Sequence, residues 1–210
     1  MRERLITATM DAYLQAEPSR HPVIDDVIRV AAVSRGTFYK YFDSLDEVLA
    51  EIGRRVADEM LASFSLIFGD SDDAAMRVAS GPLMALARSA MEPRHGAFIS
   101  RVDFIDYLAG PDPRHQLVER SLIAGREAGV LKFQSLPAAI DAVIGLSVEG
   151  ARRILRTRTL DGAYIREVAT MVLLALGLPR RAADQAVSKA WQRLQQSKQH
   201  LPWWQPVSPA

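Results

Sequence analysis

Only Ala32 and Val33 lie between two segments that both read as helices, and so short a connection restricts how the two can cross. The first segment places Ile24, Val27, Ile28 and Ala31 at three- and four-residue spacing, which gives one buried helical face. The second opens at Ser34, a good N-cap because its hydroxyl can accept from an unpaired backbone N–H. Two helices joined in this way form a helix-turn-helix. Within the second helix, spacing predicts that Phe38, Tyr41 and Phe42 pack back onto the domain, leaving Ser34, Arg35, Gly36, Thr37, Tyr39 and Lys40 on the outer side.

That outer set suits double-stranded DNA, where the second helix of such a unit enters the major groove. Arg35 is the candidate base reader, since a guanidinium can direct two donors to the O6 and N7 acceptors of guanine. Thr37, Tyr39 and Lys40 suit phosphates, which set register rather than sequence preference. Gly36 is a poor helix former, costing roughly 1 kcal/mol against alanine, and its place here makes sense if the missing Cβ allows close approach to a DNA backbone.

The segment from Ile24 to Leu49, above all V-S-R-G-T-F-Y-K-Y-F-D-S-L-D-E-V-L at 33–49, resembles the DNA-binding domain of the tetracycline-repressor (TetR) family of bacterial regulators. The resemblance implies an all-α homodimer, with an N-terminal three-helix DNA-binding domain joined to a C-terminal helical bundle that dimerises and holds a small-molecule effector. Three positions depart from the family pattern. Val23 stands where a threonine commonly caps the first helix of the motif, Ala32 replaces the usual turn glycine, and Leu45 stands where a lysine usually contacts phosphate. Ala32 is expected to avoid the left-handed region. The lost phosphate contacts call for compensation from Arg2, Arg4, Arg20 or His21.

Charge says less than the motif. Lys and Arg number 26 against 25 Asp and Glu, whereas a general nucleic-acid coat protein would be far more basic. Even the N-terminal region is balanced, with Arg2, Arg4, Arg20, Arg29, Arg35 and Lys40 against Glu3, Asp11, Glu17, Asp25, Asp26 and Asp43. Any DNA-binding surface must therefore arise from segregation of charge by face. The 210 residues are enough to bury a sizeable core. No apolar run reaches the 18 residues of a membrane span, and the first ten residues mix both charges in a way no signal peptide does. The chain has no cysteine, which excludes disulfides and thiolate chemistry and fits a cytoplasmic protein.

Helices follow one another after the motif. Ser44 and Glu47 form an S-x-x-E capping box, and the helix they open carries Leu45, Leu49, Ile52, Val56, Met60, Phe64 and Ile67 on one stripe, with Gly69 placed to end it. Further helices are expected at 72–91, 97–108, 114–128, 137–156, 162–176 and 180–197, with breaks that include Pro93, Gly110 and Gly177. Asp112 and Pro113 make a helix-starting pair. The expected division is a DNA-binding domain at 1–45, a helical effector and dimerisation domain at 46–200, and an irregular proline- and tryptophan-rich tail at 201–210.

Two late stripes bear on assembly. Ile140, Val143, Ile144, Ser147, Val148, Ala151, Ile154 and Leu155 form one, and Ile165, Val168, Met171, Val172, Leu174 and Ala175 form the other. By resemblance they build an intersubunit four-helix bundle; by periodicity alone they serve equally well as monomer core. Phe64, Met84, Phe98, Val102, Ile105 and Tyr107 are candidates to line an effector cavity, with Arg101, His95 or His115 as polar anchors. The competing reading is plain core filling. No cofactor motif, nucleophile elbow or metal-ligand spacing occurs, so neither an enzyme nor a metal site is expected. The reading is a transcriptional regulator, in the family's usual manner a repressor released from a palindromic operator by a small molecule. The alternative is a DNA-binding structural or partner-recruiting protein on the same scaffold, without an effector pocket.

Overall fold

The structure, a computed structural model, describes residues 1–17, 20–101, 116–158 and 161–204. Among these residues every regular element is helical. In chain order they are α1 (Arg2–Gln15), α2 (Ile24–Ala31), α3 (Arg35–Tyr39), α4 (Leu45–Phe68), α5 (Ala74–Met91), α6 (Pro93–Ile99), α7 (Leu117–Glu127), α8 (Leu136–Thr157), α9 (Gly162–Ala175) and α10 (Arg180–Ser197). A short 3₁₀ turn, Lys198–His200, ends the helical run.

The expected starts and stops are largely where local chemistry puts them. The Ser44 hydroxyl accepts from the Glu47 N–H at 3.1 Å, and the Glu47 carboxylate accepts in return from the Asp43 N–H at 2.7 Å, one residue earlier than a standard capping box. Gly69 ends α4 as expected. After α9 the chain turns at Gly177, whose φ of +87° is strained for a residue with a Cβ. Pro93 differs from expectation. It begins α6 rather than separating two helices, because at the first helical position its missing N–H costs nothing. The expected helix at 97–108 therefore starts earlier, and its later part lies outside the described residues, as do the Gly110 break and the Asp112–Pro113 pair.

α5 is the hub of the C-terminal bundle. Ala79, Leu83, Leu86 and Ala87 are wholly buried, and α5 packs against α4, α6, α7, α8, α9 and α10. The N-terminal unit attaches through α1, which packs against α2, α4 and α6. Ionic contacts reinforce that attachment: Arg55 of α4 holds Glu3 of α1 with two bonds of 2.7 Å, and Arg94 of α6 pairs with Asp11 of α1. α1 therefore bridges the recognition unit and the bundle.

The segment after α10 is irregular, as expected, but it is also part of the core. Leu201 and Trp203 are buried, and the Trp203 indole N–H donates to the Ser63 hydroxyl of α4 at 3.1 Å. A buried indole needs such a partner, so the contact fixes this segment against α4.

Candidate nucleic-acid interface and an interdomain cleft

The α2–α3 turn closes on Ala32, which has φ 49° and ψ 53° and so occupies the left-handed region that the sequence reading expected it to avoid. The Val33 N–H reaches back to the Ile28 carbonyl at 3.1 Å, the closure that ends many helices on a left-handed residue. The connection is too short to close otherwise, and alanine accepts a strain of roughly 1–2 kcal/mol. Val23, which lacks a capping hydroxyl, is served from the other direction: its N–H donates to the buried Asp26 carboxylate at 3.1 Å. This N–H and then Arg29 hold the Asp26 carboxyl below the usual carboxylate range. Arg20 also binds Asp26, at 2.9 Å.

Phe38 sets the orientation of α3. It is wholly buried, with its ring 6.1 Å from that of buried Phe42, and the Arg2 guanidinium lies 4.1 Å over the Phe42 ring. Tyr41 departs from the expected inward set, being 40% exposed. The helix ends at Tyr39, so helical spacing no longer applies at Tyr41. The Tyr41 carbonyl instead accepts from Arg2 at 2.7 Å.

With Phe38 fixed inward, Ser34, Arg35, Gly36, Tyr39 and Lys40 are exposed and Thr37 is half-buried. The Ser34 hydroxyl accepts from the Thr37 N–H at 3.1 Å and lies 2.9 Å from the Thr37 hydroxyl, so these two side chains also hold the helix start. Arg35 makes only a 3.7 Å ion pair with Asp25, both well exposed. Such a pair contributes about 0–1 kcal/mol and leaves the guanidinium available to a partner. A Cβ on Gly36 would meet only the Ser34 hydroxyl, at 3.9 Å, so packing within the chain does not demand glycine there. Of the compensating groups, Arg2 and Arg20 are engaged in the contacts above, while Arg4 and His21 are exposed. Leu45, on the first turn of α4, packs partly against the core.

The residues read as lining a cavity are spread through the bundle. Phe64, Met84 and Phe98 are buried in the core, with Phe64 beside Phe68 and Phe98 edge-on to Tyr13. Arg101 donates to the Tyr13 carbonyl at the end of α1. Val102, Ile105, Tyr107 and His115 lie outside the described residues.

A cleft of about 620 Å³ opens elsewhere, between α1, α4, the α5–α6 junction and the Trp203 segment. Ile6, Met10, Ile52, Val56 and Trp203 supply apolar wall, and Arg88 and His95 supply polar wall. Both polar side chains are buried. Arg88 pairs with Glu59 and, at 2.7 Å, with Glu92, yet its Nη1 has no partner among the described residues. Both ring nitrogens of His95 also lack one. Burial, and then the neighbouring Arg88 charge, push the His95 imidazole well below its ordinary pKa, so the ring is neutral. Each unsatisfied buried group of this kind costs about 1–3 kcal/mol. No sequence signal marked this cleft, since its walls come from positions as distant as Ile6 and Trp203. Only His95 had been singled out as a possible anchor.

The fold so defined is that of the TetR-family transcriptional regulators. The resorcinol-regulator structure RolR in complex with resorcinol superposes with a TM-score of 0.62 at 21% identity, covering 90% of this chain and 93% of that one. A TetR-family regulator from Syntrophomonas wolfei gives 0.65 at 19% identity, covering 85% and 96%. The fatty acid degradation regulator FadR from Bacillus halodurans gives 0.63 at 15% identity, covering 85% and 97%. By sequence alone, neither a family profile nor a curated protein matches the chain. Among the described residues no helix is long and apolar enough to cross a membrane.

Proposed function

We propose that this protein is a DNA-binding transcriptional regulator that acts as a homodimer on a two-fold-related operator and is released by a small molecule. The observation that carries this reading is the outward presentation of Arg35, Gly36, Tyr39 and Lys40 on a helix whose inward side is fixed by Phe38. Arg35 reads a base, Thr37, Tyr39 and Lys40 hold phosphates, and Gly36 admits the backbone. The solved relatives are consistent with a ligand-responsive scaffold: one RolR structure holds resorcinol, and a FadR from Bacillus subtilis holds stearoyl-CoA.

A single short helix contacts few bases, so a dimer on half-sites about 34 Å apart gives the specificity a regulator needs. The late helices support such pairing. Within one protomer α8 buries Val143, Ala151 and Ile154 but leaves Ile140, Ile144 and Val148 half-exposed. Met171 on α9 is 47% exposed. The two stripes thus split between protomer core and open face. Gly145 lies on exposed α8 surface where an added Cβ would meet nothing, although a helix-interior glycine costs roughly 1 kcal/mol. Close approach of a second copy accounts for it.

Selection of bound sequences from a random DNA pool tests the reading, with an enriched palindrome as the expected result. Absence of any enriched sequence overturns it. Lys40→Ala should weaken binding to all sequences and make its salt dependence shallower, as loss of one phosphate contact requires.

A further inference from the structure

We propose that the cleft between α1, α4 and the α5–α6 junction binds an uncharged amphipathic molecule that presents a hydroxyl, an alcohol or a phenol, on an apolar body. The apolar wall of Ile6, Met10, Val56 and Trp203 takes the body, and the unpaired polar atoms at Arg88 and His95 take the hydroxyl. One hydroxyl meets both needs, because its oxygen accepts from Arg88 Nη1 and its proton is donated to the unprotonated nitrogen of His95.

Charge selects against an anion. Arg88 already faces two carboxylates, Glu59 and Glu92. The other cationic side chains at the cleft are matched as well, Arg55 by Glu3 and Glu51 and Arg94 by Asp11. A further carboxylate would add negative charge where no cation is left to meet it. A purely apolar ligand would fill the cleft but leave Arg88 and His95 unsatisfied, and a site built around buried polar groups discriminates strongly against such an analogue.

The position of the cleft gives binding a route to the recognition helix. Its walls belong to α1 and α4 on one side and to α5 and α6 on the other, so an occupant fixes their separation. α1 packs on α2, which carries α3. This coupling rests on the regulator reading above, whereas the binding itself does not.

The test uses the full chain without DNA, titrated by calorimetry with 4-propylphenol, 4-propylanisole and 4-propylbenzoate at neutral pH. The phenol should bind at least tenfold more tightly than either comparator. His95→Leu should fold at least as stably as the parent, because it removes unsatisfied buried atoms, and should abolish that tenfold preference. Met10→Trp, which fills the apolar side from half-buried α1, should lose binding of all three probes. Equal binding of benzoate, a preference that survives His95→Leu, or no binding of any probe overturns the proposal. Phenol should also release the protein from its selected DNA. A palindrome that is bound equally with and without phenol overturns the coupling and leaves the regulator reading intact. Tight phenol binding with no DNA sequence enriched does the reverse.

Discussion

The recognition helix and the interdomain cleft solve opposite problems with polar side chains. α3 holds Arg35, Tyr39 and Lys40 in water, where carrying charge is inexpensive, and spends one buried residue, Phe38, on aiming them. The cleft removes Arg88 and His95 from water and leaves three of their nitrogens without partners among the described residues. An exposed polar surface can await a large charged partner at no standing cost, while a buried one is tolerated where something is gained in return. The first arrangement costs the fold little when mutated on its outer side. The second is written into stability itself.

The largest expected effect tests the single inward anchor. Phe38→Ala should destabilise the protein by about 3–5 kcal/mol, the usual cost of emptying a wholly buried aromatic site, as read by urea denaturation. A loss below 1 kcal/mol would show that α3 is held by something other than Phe38. Arg35→Ala should leave stability unchanged and reduce the preference for one base per half-site by roughly 1–3 kcal/mol. Competition binding against single-base variants of the selected sequence measures this, and equal loss on operator and random DNA would remove Arg35 from the base-reading role.

The cleft makes its own prediction through pH. His95 has a depressed folded-state pKa, so the folded protein resists a proton that the unfolded chain accepts. Its stabilising contribution is fully present above the unfolded value of about 6.5 and is lost as pH falls below it, by up to about 1.4 kcal/mol per pH unit. Denaturation of wild type and His95→Leu between pH 7.5 and pH 5 on the order of 0.5-unit steps should show that slope in the difference between them. Parallel curves would mean that the imidazole is solvated. The smallest effect concerns the turn: Ala32→Gly should raise stability by about 0.5–1 kcal/mol, since glycine relieves the left-handed strain at some cost in unfolded-chain entropy. Thermal unfolding suffices to detect it.

How much of the protein could be read from sequence follows from the distance over which each feature is built. The helix-turn-helix, the Ser34 and Ser44 caps and the ends at Gly69 and Gly177 depend on residues a few positions apart, and the fold class followed from them. Tyr41 was misassigned because spacing was extended past the end of α3. Ala32 was misassigned because closure of a short turn outweighed the conformational preference of one residue. The stripes on α8 and α9 were ambiguous between core and interface for a physical reason, since one protomer buries only part of each. The cleft was illegible: Ile6, Val56, Arg88, His95 and Trp203 share no period and meet only when four separate stretches of chain assemble.

The Trp203–Ser63 contact spans 140 positions. At the usual elongation rates of about 5–20 residues per second, α4 waits roughly 7–30 seconds on the ribosome for the side chain that completes its packing. The recognition helix can therefore take shape early in synthesis, but the wall that joins it to the bundle is finished among the last, and a nascent chain could meet DNA before it is able to respond to a ligand.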